Sequence, residues 1–171
     1  MTTQALSRAG FWPRLAATAI DYAIIASLCT VLGAILGGAF REDPYLGAAA
    51  AIVTGFTLVG ALYMSLEAFT SATLGKRALH LMVVGEDGCP APAGVRVSRY
   101  LVKNCHLLLG AAATVSGLWF VGALAPLATL VVVAGSTMIL TSERRALHDL
   151  VAKTMVVSTR GRATRAGAVS S

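Results

Sequence analysis

Two long apolar segments dominate the first half of the 171-residue chain. The first, residues 15–38, contains a single charged side chain, Asp21, and the second, residues 45–66, contains none. As a helix rising 1.5 Å per residue, either segment is long enough to cross a hydrocarbon core of about 30 Å. A secretory signal has an apolar region of only roughly 7–15 residues, so the first segment is predicted to be a retained span.

A third apolar segment, residues 107–140, is too long to be one straight span, since 34 helical residues would measure about 51 Å. Gly117, Gly122 and Pro126 interrupt it beside the aromatic pair Trp119 and Phe120. These residues predict two short spans, about 107–122 and 125–140, joined by a tight turn. One bent helix is the alternative.

Residues 67–104, which separate the second and third apolar segments, are predicted to form a polar cytoplasmic loop. Residues 79–84 and 155–157 both contain a β-favouring Met-Val-Val sequence, which predicts that two short strands pair at the membrane surface. The alternating apolar and basic residues of 95–106 are typical of an amphipathic helix in the interface. The predicted fold class is an all-α membrane protein, a four-helix transmembrane bundle.

Composition and charge agree with a membrane protein and suggest its orientation. Hydrophobic residues make up 56% of the chain, charged residues only 13%, and the mean hydropathy is +0.74. Of the fourteen Lys and Arg residues, two precede the first span, one follows it, five lie in the loop and six follow residue 140. With four spans and both termini cytoplasmic, thirteen of the fourteen face the cytoplasm, as the positive-inside rule prefers.

This topology predicts a cytoplasmic segment, 1–14, a multi-pass transmembrane domain, 15–157, and a flexible basic tail, 158–171. The basic residues flank apolar segments, so the expected partner is the lipid bilayer and no nucleic acid is expected. Because four short helices make a narrow monomer, a homo-oligomer or a larger membrane complex is an open alternative for any transport path.

The sequence contains no recognisable enzyme, cofactor or metal motif. The three cysteines lack metal-ligand spacing, and no serine lies in a nucleophile elbow. His148 is adjacent to Asp149, but neighbouring helical side chains point about 100° apart. We therefore predict no enzymatic activity, no cofactor and no metal site.

Asp21 is the residue most difficult to accommodate in lipid. An unpaired carboxylate there would cost several kcal/mol, so Asp21 needs a cationic partner or a proton. Arg14 and Thr18 lie on the same helical face, seven and three residues earlier, which makes Arg14 the predicted partner. Asp21 is then either a proton or cation site, or part of a polar clasp that fixes helix packing.

Three segments resemble the RDD family of small bacterial membrane proteins: RLAATAID at 14–21, TLGKRALHLMVV at 73–84 and RALHDLVAKTMVV at 145–157. The resemblance identifies Arg14, Asp21 and Asp149 as the arginine and two aspartates that give the family its name. It implies a protein of the bacterial cytoplasmic membrane that takes part in transporting unidentified ligands, with cation/proton exchange suggested for some members. Lys153 departs from the family pattern, in which glycine is expected, so the resemblance leaves the backbone there in question.

With four spans, Asp149 and Arg14 emerge at the same membrane face and could meet. We predict that Arg14, Asp21 and Asp149 form one polar cluster facing the cytoplasm. Supporting side chains would be Thr18, Lys76, Arg77 and His148. From the residues alone, Asp149 is equally consistent with a solvated acid at a helix end. The predicted function is transport, or assistance in the transport, of a small solute or ion; the alternative is a non-transporting accessory or scaffold subunit of a membrane complex.

Overall fold

Two long apolar helices form the centre of the protein in a computed structural model, which describes residues 7–37, 44–141 and 143–159. Helix α1 is Phe11–Gly37 and helix α2 is Pro44–Thr70, and the two pack against each other in antiparallel fashion. Helix α1 begins four residues before the predicted span, with Pro13 in its first turn, where a missing N–H costs nothing. Helix α2 continues four residues beyond the predicted boundary at 66 because the charged Glu67 is buried in the protein.

The third apolar segment breaks into several helices, and the break is not where the sequence predicted it. They are α5 (Cys105–Ser116), α6 (Trp119–Ala123), α7 (Ala125–Thr137) and the 3-10 helix Met138–Leu140. Helix α5 ends because Gly117 adopts a left-handed conformation with φ +70°, and α6 and α7 then fold back along α5. The turn therefore lies at 117–118, inside the predicted span 107–122.

The position of this break bears on the number of helices that can span the membrane. Helix α5 has 12 residues and is about 18 Å long, which is too short to cross a bilayer core. In the part of the chain that is described, three helical segments are long and apolar enough to cross: Phe11–Ile35, Ile52–Thr70 and Trp119–Leu140. The described residues thus form a mostly helical membrane protein, but they do not establish the predicted four-helix bundle.

The predicted polar loop 67–104 is largely ordered secondary structure. It contains the end of α2, followed by α3 (Leu74–Ala78), strand β1 (Leu81–Gly85) and α4 (Ala93–Lys103). Later in the chain lie α8 (Leu147–Val151) and strand β2 (Thr154–Ser158). The two strands pair antiparallel with Val83 opposite Val156, which confirms the predicted pairing. The backbone N–H of Ala9 donates to the carbonyl of Val156 at 2.9 Å, so the segment before α1 joins this small sheet.

Two apolar cores position the polar residues of α1. One core joins α1, α2 and α5 and includes Ile25, and the other lies beneath the sheet and includes Ala17. Asp21 lies midway between Ala17 and Ile25 on the same helical face and is therefore buried with them. Because apolar packing seals both sides, the Asp21 carboxylate has to be satisfied within the protein.

The C-terminal end of the described chain has one unusual backbone position. Lys153 has a φ of +51°, in the left-handed region that glycine adopts without a steric penalty. The lysine thus adopts a conformation that favours glycine, the residue that the resemblance led us to expect at this position. Most of the predicted basic tail, 158–171, lies outside the described residues, which end at Thr159.

Candidate functional site

Seven charged side chains meet where the N-terminal end of α1 contacts α2, α3, α4 and α8. The buried charge cluster, as we call it, comprises three carboxylates and four cationic groups: Asp21, Glu67 and Asp149, with Arg14, Lys76, Arg99 and Lys103. Every member is buried except Lys103, whose side chain is 16% exposed. Charges buried at this density are tolerated only where each is paired and hydrogen-bonded.

Arg14 pairs with Asp149 and links the start of α1 to α8. Its Nη1 lies 2.6 Å from Oδ2 of Asp149. The remaining guanidinium nitrogens donate to backbone carbonyls, Nε to Ala9 at 3.2 Å and Nη2 to Arg144 at 3.0 Å. Each of the three guanidinium nitrogens therefore has a hydrogen-bond acceptor, which fixes the orientation of the planar group.

Asp149 is fully buried and bridges two arginines. Oδ1 accepts from Nε of Arg99 at 2.9 Å and lies 2.8 Å from its Nη2, while Oδ2 faces Arg14. Burial alone raises the pKa of the Asp149 carboxyl, but the guanidinium groups of Arg99 and Arg14 outweigh it and hold the pKa well below its usual range. Asp149 is therefore ionised in the folded protein and is not a solvated helix-end acid.

Asp21 is not held by Arg14, which corrects the predicted pairing. Its Oδ1 accepts from the Tyr63 hydroxyl at 2.7 Å and from the Gly75 N–H at 2.8 Å, and its Oδ2 accepts from the Thr73 hydroxyl at 2.6 Å. Seven helical residues separate Arg14 from Asp21 by about 10 Å along the axis, and the arginine is already occupied by Asp149. Three neutral donors therefore stabilise this carboxylate.

Glu67 is one of three members of the cluster, with Arg99 and Lys103, that the sequence did not predict. Oε1 lies 2.7 Å from Nζ of Lys76 and also contacts Arg99, and Oε2 lies 2.8 Å from Nζ of Lys103. One carboxylate thus forms ion pairs with three cationic groups. Burial lowers the pKa of Lys76 to about 8 and that of Lys103 well below its ordinary value.

The predicted supporting residues are divided between the cluster and the surface. Lys76 belongs to the cluster, and His148 is buried with Nε2 3.6 Å from Oδ1 of Asp149. Thr18 is half-buried and lines a neighbouring cavity. Arg77 is exposed and takes part in no ion pair within the described ranges.

The carboxylate oxygens leave little room for an incoming metal ion. Each of the six oxygens of Asp21, Glu67 and Asp149 already contacts at least one protein donor or cation. A metal ion or other cation could bind them only by displacing such a group.

A cavity of about 370 Å³ adjoins the cationic side of the cluster. Its walls come mainly from α1 and α7, and its cationic lining is the four members Arg14, Lys76, Arg99 and Lys103. The three carboxylates do not line it. Of the charged members of the cluster, only the cationic ones border the cavity, and most of the rest of its wall is apolar.

His148 is expected to make the protein less stable below neutral pH. Burial, reinforced by Arg99, keeps the pKa of His148 well below its usual 6.5. Below about pH 6.5, this histidine takes up a proton in the unfolded chain but stays neutral in the folded protein. The free energy of unfolding should therefore fall by up to about 1.4 kcal/mol for each unit by which the pH decreases. Unfolding of His148→Asn between pH 7 and 5 should show a correspondingly shallower slope.

The exposed His80 provides the matched control for that measurement. In His80→Asn the new asparagine, like histidine, tolerates the left-handed φ of +54° at this position. It should retain the wild-type pH slope. Equal slopes for the wild type and His148→Asn would contradict the assignment of His148 as a buried neutral group.

Apolar helices long enough to cross a bilayer, joined to a buried charge cluster near their ends, define a polytopic membrane protein with an internal polar site. The chain belongs to the RDD family, whose family model matches residues 8–153. It is also similar to the uncharacterized protein YxaI of Bacillus subtilis (strain 168). The two are 29% identical over 167 residues, which cover 87% of this chain and 96% of YxaI.

Proposed function

We propose that this protein moves, or helps to move, a small solute or ion across the bacterial cytoplasmic membrane. The observation that carries the proposal is the cavity of about 370 Å³ that begins at the buried charge cluster and continues between α1 and α7. Ionisable groups inside a membrane protein are costly, and they commonly mark solute or proton pathways. In this proposal both termini and the cluster lie on the cytoplasmic side, the orientation that the positive-inside rule favours. The short α5 starts beside the cluster, directly after α4, and α7 returns to it beside α8, so the third apolar segment begins and ends on the same side.

In this proposal Asp21 is the proton-responsive group and the Arg14–Asp149 pair is a clasp at the cytoplasmic end. The Asp21 carboxyl group holds α3 through Thr73 and Gly75. Protonation would weaken these charge-assisted hydrogen bonds and loosen α3, which carries Lys76. Cation/proton exchange would then require the incoming cation to replace a protein donor at a carboxylate.

One observation favours the alternative, a non-transporting accessory or scaffold subunit. Donors already engage every carboxylate oxygen of the cluster, which is the arrangement expected of a clasp that only fixes helix packing. Such a subunit would act through partners and would show no flux of its own.

Flux through sealed proteoliposomes separates the two functions. With an imposed pH gradient, addition of Na⁺ or K⁺ should release protons through the wild type, read by a pH-sensitive dye. Asp21→Asn should reduce this flux to the level of empty vesicles, because the amide cannot exchange a proton, while circular dichroism shows that the helices are retained.

Glu86→Gln, which changes an exposed carboxylate outside the cluster, is the control and should transport normally. Absence of flux through the wild type under any gradient, together with stable co-purification of another subunit, would support the scaffold function and refute transport.

A further inference from the structure

The cavity beside the buried charge cluster has two chemically different parts, one cationic and one mainly apolar. One end is cationic, and the rest is lined by apolar side chains and small hydroxyl groups of α1 and α7, including Leu15, Thr18, Val132 and Val133. Lining residues extend from Phe11 to Tyr22 on α1, a distance of about 16 Å along the helix. This is roughly half the thickness of a hydrocarbon core.

The charges of the cluster do not balance within the protein. Four cationic groups face three carboxylates, and Glu67 alone is shared by Lys76, Arg99 and Lys103. A buried charge without a full counter-charge is costly, so an anion in the cavity would stabilise the cluster. Nδ1 of His106, also on the cavity wall, is buried and has no hydrogen-bond partner among the described residues.

The cavity also lies between two helices that are joined to different neighbours. Helix α1 packs on α2 and α3, whereas α7 packs on α5 and α8, and α1 and α7 share little direct contact. Leu15 and Val133, on opposite walls, are 45% and 57% exposed. In a bilayer these surfaces face acyl chains, so the cavity is accessible from the side through the lipid.

We propose that the cavity binds an anionic phospholipid. The headgroup phosphate would lie at the cationic end, close to Lys103, whose side chain is the most exposed of the four cations, and one acyl chain would lie between α1 and α7. Such a lipid matches both sides of the cavity, whereas a zwitterionic lipid lacks the net charge and a free phosphate lacks the chain. The inference is independent of transport, because the lipid would be a structural ligand both in a transporter of small solutes and in a scaffold.

Binding to the purified full-length protein, delipidated in detergent, tests the proposal. The three probes are phosphatidylglycerol, phosphatidylcholine with the same acyl chains, and inorganic phosphate, each followed by the shift of the unfolding temperature and by native mass spectrometry. Phosphatidylglycerol should bind at least about tenfold more tightly than phosphatidylcholine, as one added charge-assisted contact allows. Inorganic phosphate at the same concentration should give no shift.

Two variants identify the site. Lys103→Gln removes one of the three cations that share Glu67, while Lys76 and Arg99 continue to pair with it, so phosphatidylglycerol affinity should fall about tenfold without loss of fold. Val132→Phe fills the apolar part of the cavity and should weaken the same lipid without changing charge. Arg77→Gln removes an exposed positive charge and should leave binding unchanged.

Equal affinity for the two phospholipids would overturn the proposal, as would equal losses in Lys103→Gln and Arg77→Gln. A shift with phosphate alone as large as with phosphatidylglycerol would make the cavity a free-anion site and also refute lipid binding. If Lys103→Gln does not fold, Val132→Phe still tests the proposal. Wild-type affinity for phosphatidylglycerol in that variant would exclude an acyl chain between α1 and α7. None of these measurements depends on flux, so failure of transport and failure of lipid binding remain distinguishable.

Discussion

Replacing Asp149 with asparagine is expected to lower the free energy of unfolding by about 3–5 kcal/mol. The carboxylate is fully buried and lies against the guanidinium groups of Arg14 and Arg99, so its loss leaves two cations short of a counter-charge in an environment with little water. Asparagine has almost the same shape, which confines the effect to charge and hydrogen bonding. Denaturant or thermal unfolding in detergent, followed by circular dichroism, measures the change.

An exposed ion pair near the same helix provides the matched control. Glu86 pairs with Arg145, but the glutamate side chain is 47% exposed. Glu86→Gln should therefore change stability by no more than about 1 kcal/mol. Equal effects of Asp149→Asn and Glu86→Gln would contradict a buried structural role for Asp149.

The double variant Arg14→Gln with Asp149→Asn tests whether the two residues act as a pair. Removing both partners leaves less uncompensated charge than removing either one, so the double variant should lose less stability than the sum of the single losses. A coupling of roughly 0.5–3 kcal/mol is expected for residues in contact. Strict additivity would mean that the observed 2.6 Å contact contributes nothing to folding.

The sequence predicted that Asp149 could meet Arg14 and that both join Asp21 in one cluster, but it also assigned Arg14 as the charge partner of Asp21. Asp21 was the expected charge partner because it shares a helical face with Arg14. Helical periodicity reveals such neighbours along one helix, but it does not reveal contacts between distant segments. The actual partner lies 135 residues away and becomes adjacent only when α8 packs near the start of α1. About 10 Å of helical rise between Arg14 and Asp21 makes the local pair the poorer one.

Glu67, Arg99 and Lys103 were missed for a related reason. Glu67 follows the apolar segment 45–66 directly and could not be distinguished from the first residue of a polar loop. Arg99 and Lys103 are four residues apart, which places them on one face of α4, but nothing in that spacing says what the face contacts. Their identification required knowing that α4 packs against α2 and α8.

The strand pairing was predicted correctly, and so was a break in the third apolar segment, but not the position of that break. Two Met-Val-Val sequences that flank polar turns leave few alternatives to pairing, and Val83 lies opposite Val156. In residues 107–140 several breakers competed for the turn. Gly117 takes the positive φ, whereas Pro126 lies in the first turn of α7, where proline favours helix initiation and does not interrupt the helix.

Gly75→Ala is the second substitution for which we expect a large loss of stability, about 3 kcal/mol. A Cβ at position 75 would lie 2.2 Å from the carbonyl oxygen of Ala17 and 2.8 Å from Oδ1 of Asp21. Neither neighbour can yield easily, because one is helix backbone and the other is held by Tyr63 and Thr73. Helix α3 must therefore move away from α1 and give up the hydrogen bond from Gly75 to Asp21, which thermal unfolding and amide hydrogen exchange at Gly75 would both detect.

Gly94→Ala separates this steric effect from the general effect of adding a methyl group to a helical glycine. Gly94 lies in the first turn of α4, and a Cβ there would meet no atom within 4 Å. The substitution should be neutral or stabilising by up to about 1 kcal/mol, since alanine is the better helix former. Similar stabilities for the two variants would show that α3 can shift at little cost. The close approach of Gly75 to α1 would then not explain how the donors around Asp21 are held in place.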